Sequence, residues 1–590
     1  MSSNPYRLLT TGSSQRRRNS DSEFYSSTEV VNHYLGRSSS CAKKCRLLYG
    51  CVCDRVAPIF RLTLLIILIL FLYWNFRSDD SSTSRDVVEK SLSGRGQYVA
   101  DMAVRPFKFL LNNQEIDDSK DVKMEEPEPS RFVSRTGGEG VMRKRIFHLD
   151  MKGAPPKPEV FHHLFPLLHK LNFTGVLMEY EDMFPYNGNL QGLSCPYAYD
   201  PVLIKSIQNL ATMNNLEIIP LIQTFGHLEF ALKHNAFSAL REVANLTDTI
   251  CPSEPKSFEL IKDMLTQVWL LHPNSRYIHI GADEAWHIAQ DERCHFKLHH
   301  EFRNSTDRLK LDHISRVAHF AKTTLKFEAV WAWNDMFDKI DVDLLKEYKL
   351  GELIVPVVWG YVEDVTRPGY FPDGMFHRYR QVFDEILLAG AFKGANGIAQ
   401  SFMNTTRYMS NLVSYHNLFN QMRPQLVDAM SGMVLTGWQR YSHDRPLCEL
   451  LPVGIPCLVQ EAFYLSKWNN HPDPSDMRFM DFLQYHPPTG QDPMKPVEYH
   501  GELFRPPFET MFTFCEFLGA DLFKEIEHLR FIKWKAVVDG HVTEALKMEL
   551  KELAKRVKPI LLNYFYEETV NEWMLQNMDP SQLIHGPSAS

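Results

Sequence analysis

Asp283 and Glu284 are adjacent and end the run Tyr277-Ile-His279-Ile-Gly281-Ala-Asp283-Glu284. The residues before them are apolar and β-branched, the composition of a buried strand. Alternate residues of a strand share a face, so His279, Gly281 and Asp283 are expected to point one way, with Glu284 one step beyond at the strand end. Two carboxylates in unlike environments can divide acid–base work: one stays charged while the other carries a proton. Cleavage of a glycosidic bond calls for such a pair. The alternative is an Asp-Glu pair that only caps the next helix. The apolar run before it and Trp286 after it argue against that.

Such a pair needs a frame to hold it. From Arg145 onward, short apolar runs alternate with amphipathic stretches. The runs are IFHLDM (146–151), TGVLMEY (174–180), LEIIPLIQ (216–223), RYIHIGA (276–282), EAVWAW (328–333), LIVPVVWG (353–360), ANGIAQSF (395–402) and SGMVLTGW (431–438). Strands alternating with helices mean a parallel α/β sheet, and eight such units fit a (β/α)8 TIM-type barrel with its chemistry at the C-terminal strand ends. Those ends carry Glu179, Glu181 and Asp182, then His227, then Asp283 and Glu284. Trp331, Trp333, Asn334 and Asp335 follow, then Trp359 and Tyr361, and finally Trp438, Arg440 and Tyr441. Flat aromatic faces stack on sugar rings, and carboxylates grip hydroxyls, so the set reads as a sugar pocket. The histidine pairs His162-His163 and His299-His300 lack the spacing of a metal ligand set, and neither a metal nor another cofactor is expected.

The stretch His279-Ile-Gly-Ala-Asp-Glu284 resembles the signature of glycoside hydrolase family 20, the β-N-acetylhexosaminidases. His148-Leu-Asp-Met-Lys-Gly-Ala-Pro-Pro156, Glu179-Tyr-Glu-Asp-Met-Phe-Pro-Tyr186 and Leu435-Thr-Gly-Trp-Gln-Arg-Tyr441 resemble its hexosaminidase D branch. The resemblance runs from roughly Arg143 to Pro456 and implies exo-acting, retaining removal of terminal GalNAc or GlcNAc by substrate-assisted catalysis, in which the substrate's own 2-acetamido oxygen is the nucleophile. It further implies Glu284 as general acid and base, Asp283 as the partner of the acetamido N–H, and Tyr361 as donor to the acetamido oxygen. Trp333, Trp359 and Trp438 would wall the pocket, with His227 as the third-strand histidine. Lysosomal relatives carry an Arg-Gly on the first strand that binds distal hydroxyls. Here Arg145 stands five residues before Asp150 with Ile146 after it, and Glu181 or Asp182 could take over those contacts. The competing reading is a catalytically silent, lectin-like ectodomain on the same barrel.

The net charge of −8 is uneven: residues 1–61 carry +6, leaving −14 for the remainder, which argues against a nucleic-acid partner. Residues 1–55 read as a disordered basic cytosolic tail. Residues 56–76, VAPIFRLTLLIILILFLYWNF, read as a transmembrane signal-anchor, 21 residues long if Arg61 snorkels. Basic residues precede the span and Asp79, Asp80, Asp86 and Glu89 follow it, which predicts a type II membrane protein with a lumenal catalytic domain. Its short apolar core favours thin membranes, hence the Golgi before the cell surface. Four sequons, at Asn172, Asn245, Asn304 and Asn404, all lie beyond the span, as do six scattered cysteines that an oxidising lumen could pair; Cys41, Cys45, Cys51 and Cys53 crowd its cytosolic side, a palmitoylation pattern. The expected organisation is completed by a stem over 77–142, the barrel over 143–460 and a mostly helical region over 461–590.

Overall fold

The eight barrel strands arise where apolar, β-branched runs are covered on both faces. They are β1 (Lys144–Asp150), β2 (Gly175–Glu179), β3 (Glu217–Leu221), β4 (Tyr277–His279), β5 (Ala329–Trp333), β6 (Ile354–Trp359), β7 (Ile386–Lys393) and β8 (Met430–Gly437). The computed structural model describes residues 142–583 apart from 471 and 491. The expected tail and membrane anchor, and all of the stem except Met142, lie outside the described residues. Among the described residues no helix is long and apolar enough to cross a membrane.

The strands close in sequence order into a parallel barrel, sealed by β1 against β8 from Lys144↔Gly432 to Phe147↔Leu435. Ile146, Leu177, Ile219, Leu221, Val357, Leu387 and Val434 fill the inside, while Phe147, Leu149, Val176 and Met178 pack outward. That alternation is the period-two consequence of a strand with two buried faces. Trp331 stacks on Tyr277 within this apolar filling, 5.4 Å between ring centres. It is a packing residue, and Trp333 two positions on reaches the rim.

A helix follows each strand: α1 (Pro158–Lys170), α2 (Pro201–Met213), α3 (Pro255–Leu271), α4 (Thr306–His319), α5 (Val342–Glu347), α6 (Met375–Arg380), α7 (Thr405–Gln421) and α8 (Leu451–Leu465). Asp200, Ser305 and Asn404 accept backbone N–H groups at the starts of α2, α4 and α7, satisfying donors that no helix can bond internally.

The seventh strand is not the expected one. ANGIAQSF (395–402) is a loop, and the strand is Ile386–Lys393, buried at every position. Gly394 and Gly397 have φ of +75° and +118°, outside extended geometry, and a Cβ on Gly394 would lie 1.8 Å from the Trp438 carbonyl oxygen. Asn396, Gln400 and Ser401 also have no place in a strand covered on both faces.

Beyond the barrel come a one-turn helix (Arg478–Phe482), a short antiparallel hairpin, β9 (Val497–Tyr499) with β10 (Glu502–Phe504), and three longer helices, α9 (Ala520–Asp539), α10 (Glu544–Tyr564) and α11 (Glu567–Met578). The helices dock on the loops after β1 and β8. Lys157 N–H donates to Tyr564 O at 2.8 Å, Thr569 Oγ1 to Gly153 O at 2.8 Å, and Arg440 Nη2 to both Glu572 carboxylate oxygens at 2.8 Å. They therefore brace the rim that carries the chemistry.

Candidate active site

The Asp283–Glu284 pair reaches the rim by a turn, not by extension of β4 as expected. His279 Nδ1 accepts the Gly281 N–H at 2.9 Å, and the chain then leaves the strand, with φ of 62° at Gly281, 69° at Ala282 and 47° at Glu284. A Cβ on Gly281 would lie 1.9 Å from Gln223 Oε1. The helix after the turn begins at Glu292 and is capped by Asp291, so the acidic pair caps nothing. Trp286 is 61% exposed and is no sign of burial.

The Phe225-Gly226-His227 loop after β3 lies directly on this turn. A Cβ on Gly226 would sit 2.1 Å from Asp283 O. His227, with φ of 54°, brings Nε2 to 2.9 Å from Glu284 Oε2 and 3.6 Å from Asp283 Oδ2. From the end of β5, Asp335 accepts the Glu284 N–H on Oδ2 at 2.9 Å and the Trp359 Nε1–H on Oδ1 at 3.1 Å. Left-handed backbone at non-glycine residues costs about 1–3 kcal/mol each and concentrates where geometry serves function. Glu181, His227, Ala282 and Glu284 all adopt it here.

This side of the rim holds more acid than base. Burial raises Asp283 to about 7, with Glu284 adding to the rise and His227 opposing it. Burial likewise raises Asp335 to about 8, reinforced by Asp283 and Glu284. Burial disfavours charge on His227, but Asp283 and Glu284 outweigh it and lift the imidazole to about 10. Three carboxylates thus share one imidazolium, and the cluster retains a proton near neutral pH.

Across the rim a lysine and a histidine flank a single carboxylate. Glu181 Oε1 lies 3.3 Å from Lys152 Nζ, and Glu181 Oε2 lies 2.8 Å from His443 Nε2. Burial opposes its charge, but Lys152 and His443 prevail and hold its carboxyl down at about 2. Asp150 fixes both flanks, accepting the Lys152 N–H and the Gln439 N–H at 2.8 Å each. Below, Glu179 joins His148 Nε2 at 2.9 Å and Gln223 Nε2 at 3.2 Å.

Between the two acid groups stands an aromatic wall. Trp333 and Trp438 are 5.8 Å apart between ring centres, Trp438 and Tyr361 6.2 Å, and Tyr361 and Trp359 5.3 Å in a stacked pair. Asp283 Oδ1, Tyr361 Oη and the Nε1 atoms of Trp333 and Trp438 are buried and make no hydrogen bond of ordinary geometry within the protein; Thr436 and Trp438 are the polar neighbours of the phenol. Buried donors and an acceptor gathered without partners are what a polar ligand would satisfy.

The expected rim residues therefore come together, with exceptions. Asp182 sits at the edge, 3.4 Å from Lys233 Nζ. Arg440 turns away to Glu572 and the Lys152 carbonyl, and the Tyr441 hydroxyl accepts the Gly397 N–H at 3.2 Å, so both are structural. Arg145 lies on the outward-facing register at the opposite end of β1, about 16 Å of strand from Asp150, and cannot serve the rim. Lys152 and His443 complete the site and lie outside the strand-end set read from sequence, whereas Asp335 belongs to that set. The lysine of Asp150-Met-Lys152 was the available signal, the one Lys or Arg between Arg145 and Lys157. Among the sequons, Asn245 and Asn304 are exposed, whereas Asn172 and Asn404 are half-buried and Asn404 caps α7 through the Arg407 N–H.

Residues 185–365 match the family described as "Glycosyl hydrolase family 20, catalytic domain". The chain is 41% identical over 316 residues to hexosaminidase D of Bos taurus, covering 53% of this chain and 90% of that protein. It is also 41% identical over 323 residues to hexosaminidase D of Homo sapiens, covering 55% of this chain and 65% of that protein. Among solved structures, the β-N-acetylhexosaminidase of Bacteroides fragilis aligns with a TM-score of 0.43 and 18% identity over 58% of this chain and 70% of that one. The chain thus belongs to glycosyl hydrolase family 20 and is a glycoside hydrolase of the β-N-acetylhexosaminidase class, related to hexosaminidase D.

Proposed function

We propose that this hydrolase is exo-acting and retaining, and removes terminal β-linked GalNAc or GlcNAc from glycans with the help of the substrate's own acetamido group. The observation that carries the reading is the set of buried polar atoms beside the acidic turn, Asp283 Oδ1, Tyr361 Oη and Trp438 Nε1, that make no hydrogen bond of ordinary geometry within the protein. An N-acetyl group has one N–H to give and one carbonyl oxygen to receive. Asp283, once ionised, accepts that N–H and orients the amide; Tyr361 donates to the carbonyl oxygen; Trp333, Trp359 and Trp438 enclose the methyl group and sugar ring.

The acetamido oxygen then forms a bond to the anomeric carbon as the bond to the leaving oxygen breaks, and Glu284 delivers a proton to that oxygen. Asp283 stabilises the positive charge on the resulting oxazolinium ring. Glu284 next takes a proton from water, which opens the ring at the same carbon and restores the original configuration. His227 fixes Glu284, and Asp335 fixes the backbone beneath it. Glu181, held ionised, and Asp182 at the edge accept sugar hydroxyls in place of the first-strand arginine, since Arg145 faces outward at the far end of β1.

We also propose that the catalytic domain is lumenal, tethered by residues 56–76 in the Golgi and glycosylated at Asn245 and Asn304, which are exposed, with the half-buried Asn172 and Asn404 as weaker acceptors. The basic flank before the apolar segment and the acidic one after it support that orientation. The test is turnover of chromogenic β-GalNAc, β-GlcNAc and β-galactoside by the full-length protein and its Glu284→Gln and Asp283→Asn variants. Hydrolysis restricted to the 2-acetamido sugars, and lost in both variants, is expected. Equal hydrolysis of the plain galactoside would sink the substrate-assisted mechanism, and sugar binding without turnover would restore the lectin-like reading.

A further inference from the structure

Outside the sugar site, one buried cluster has no role in the mechanism. Cys251 and Cys294 are fully buried, and their sulfurs are 3.6 Å apart although 43 residues separate them in sequence. Among the described residues no other two cysteine sulfurs meet. We propose that Cys251 and Cys294 form a disulfide in the mature protein, and that this cross-link keeps the His227 loop in register with the Asp283–Glu284 turn. The proposal rests on the lumenal placement above, since a disulfide persists in an oxidising compartment.

The surrounding bonds show what the link would hold. Residues 241–250 form a small hairpin wedged between the two catalytic loops. On one side Ile250 N–H donates to Phe225 O at 3.1 Å and Leu228 N–H to Asp248 O at 3.0 Å, securing the segment that carries His227. On the other, Asp248 Oδ2 lies 2.7 Å from His287 Nδ1, and Glu242 Oε1 accepts the N–H groups of Gln290 and Asp291 at 2.7 and 3.0 Å, securing the chain just after Glu284. Cys251 anchors the hairpin through its N–H to Leu240 O at 2.7 Å, and Cys294 lies in the first turn of the helix Glu292–His300. The sulfurs need to close by about 1.5 Å to reach bonding distance. In the reaction each thiol loses a proton, the sulfurs lose two electrons to a disulfide-type oxidant that becomes a dithiol, and one S–S bond forms.

Glu242 Oε2, 3.2 Å from Cys294 Sγ, makes a metal ion the rival occupant. A closed structural zinc site takes four strong ligands. The fourth polar atom at hand here is the Ser253 hydroxyl, 3.1 Å from Cys294 Sγ, and one Glu242 oxygen is already committed to two backbone N–H groups.

The test uses the full-length protein from cells lysed into N-ethylmaleimide, digested without reduction and analysed by mass spectrometry, with glycans at Asn245 and Asn304 read from the same digest. A Cys251–Cys294 peptide lighter by two hydrogens, preserved in Glu242→Gln, is expected. Reduction, or either Cys→Ser variant, should raise the unfolding equilibrium constant by about 10³ on the loop-entropy estimate, with the double variant no worse than either single. Glycosylated protein with both thiols alkylated overturns the cross-link and leaves the lumenal placement standing. Unglycosylated, alkylated protein overturns both. One equivalent of zinc, lost in Cys251→Ser and Glu242→Gln, overturns the disulfide in favour of a metal.

Discussion

Across the barrel rim, Glu181 on one side and Asp283 and Asp335 on the other are treated oppositely by their surroundings. Beside β1 and β8, Glu181 is enclosed by Lys152 and His443 and is held near 2. Beside β4 and β5, Asp283 and Asp335 crowd Glu284 around one histidine and are held near 7 and 8. Glu181 and Asp283 are both buried, so burial does not separate them; the cations in contact with Glu181 do. A permanently ionised carboxylate reads hydroxyls without exchanging protons. An acid-rich cluster keeps a proton to give. In the proposed mechanism, carboxylates thus serve binding on one side and chemistry on the other.

The largest test of that contrast is Glu284→Gln, expected to lower kcat by about 10²–10⁴, the range that general acid catalysis contributes. Single-turnover kinetics with a good leaving group should recover part of the loss, since such a group needs little protonation. On the opposite side, Lys152→Met should act on stability, because it strips the main counter-ion from a buried carboxylate. A loss of about 3–5 kcal/mol by chemical denaturation is expected. The native Glu181 contribution is present above the ordinary carboxyl value of 4.5 and fades as pH falls toward 2. In the variant Glu181 prefers its proton, so the deficit should narrow on acidification. An unchanged deficit between neutral and acidic pH would mean that Lys152 acts by packing.

Gly226→Ala probes the contact that joins the loops. The added methyl would meet the Asp283 carbonyl at 2.1 Å, so the acidic turn must move. A kcat reduction of about 10²-fold, the consequence of an ångström-scale displacement, is expected in steady-state kinetics, with the melting temperature changed less than by Lys152→Met.

Much of this arrangement was legible in sequence. The barrel showed because parallel strands covered on both faces must be written as apolar runs, and seven of the eight runs coincide with strands. The seventh failed because Ile386–Lys393 and the loop after it share alanine and glycine; the polar Asn396, Gln400 and Ser401 were the available sign, whereas the positive φ at Gly394 and Gly397 is visible only in three dimensions. At the site, Asp283, Glu284, His227 and the aromatic wall were visible as residue types at strand ends. The turn that delivers the acidic pair was not, since it depends on His279 Nδ1 capturing the Gly281 N–H. Lys152 and His443 were hidden for a related reason: 291 positions separate them in the chain, and only barrel closure brings both to Glu181.

His227→Gln tests the contrast most finely, since it removes the one cation from the acid-rich side. With Asp283 raised to about 7, and its ionised form needed to hold the acetamido N–H, the acid limb of kcat/KM should fall near pH 7 in the wild type. His227 is the group that opposes the rise at Asp283, so its loss should move that limb to higher pH while glutamine keeps a donor near Glu284. The stability effect has its own sign. The His227 value of about 10 exceeds the ordinary 6.5, so its contribution is full below 6.5 and disappears as pH rises through 10. Denaturation of wild type and variant should therefore differ most at pH 6.5 and below, differ less as pH rises from there, and converge above 10. A variant with a depressed kcat but an unmoved acid limb would show that His227 positions Glu284 without setting the charge of Asp283.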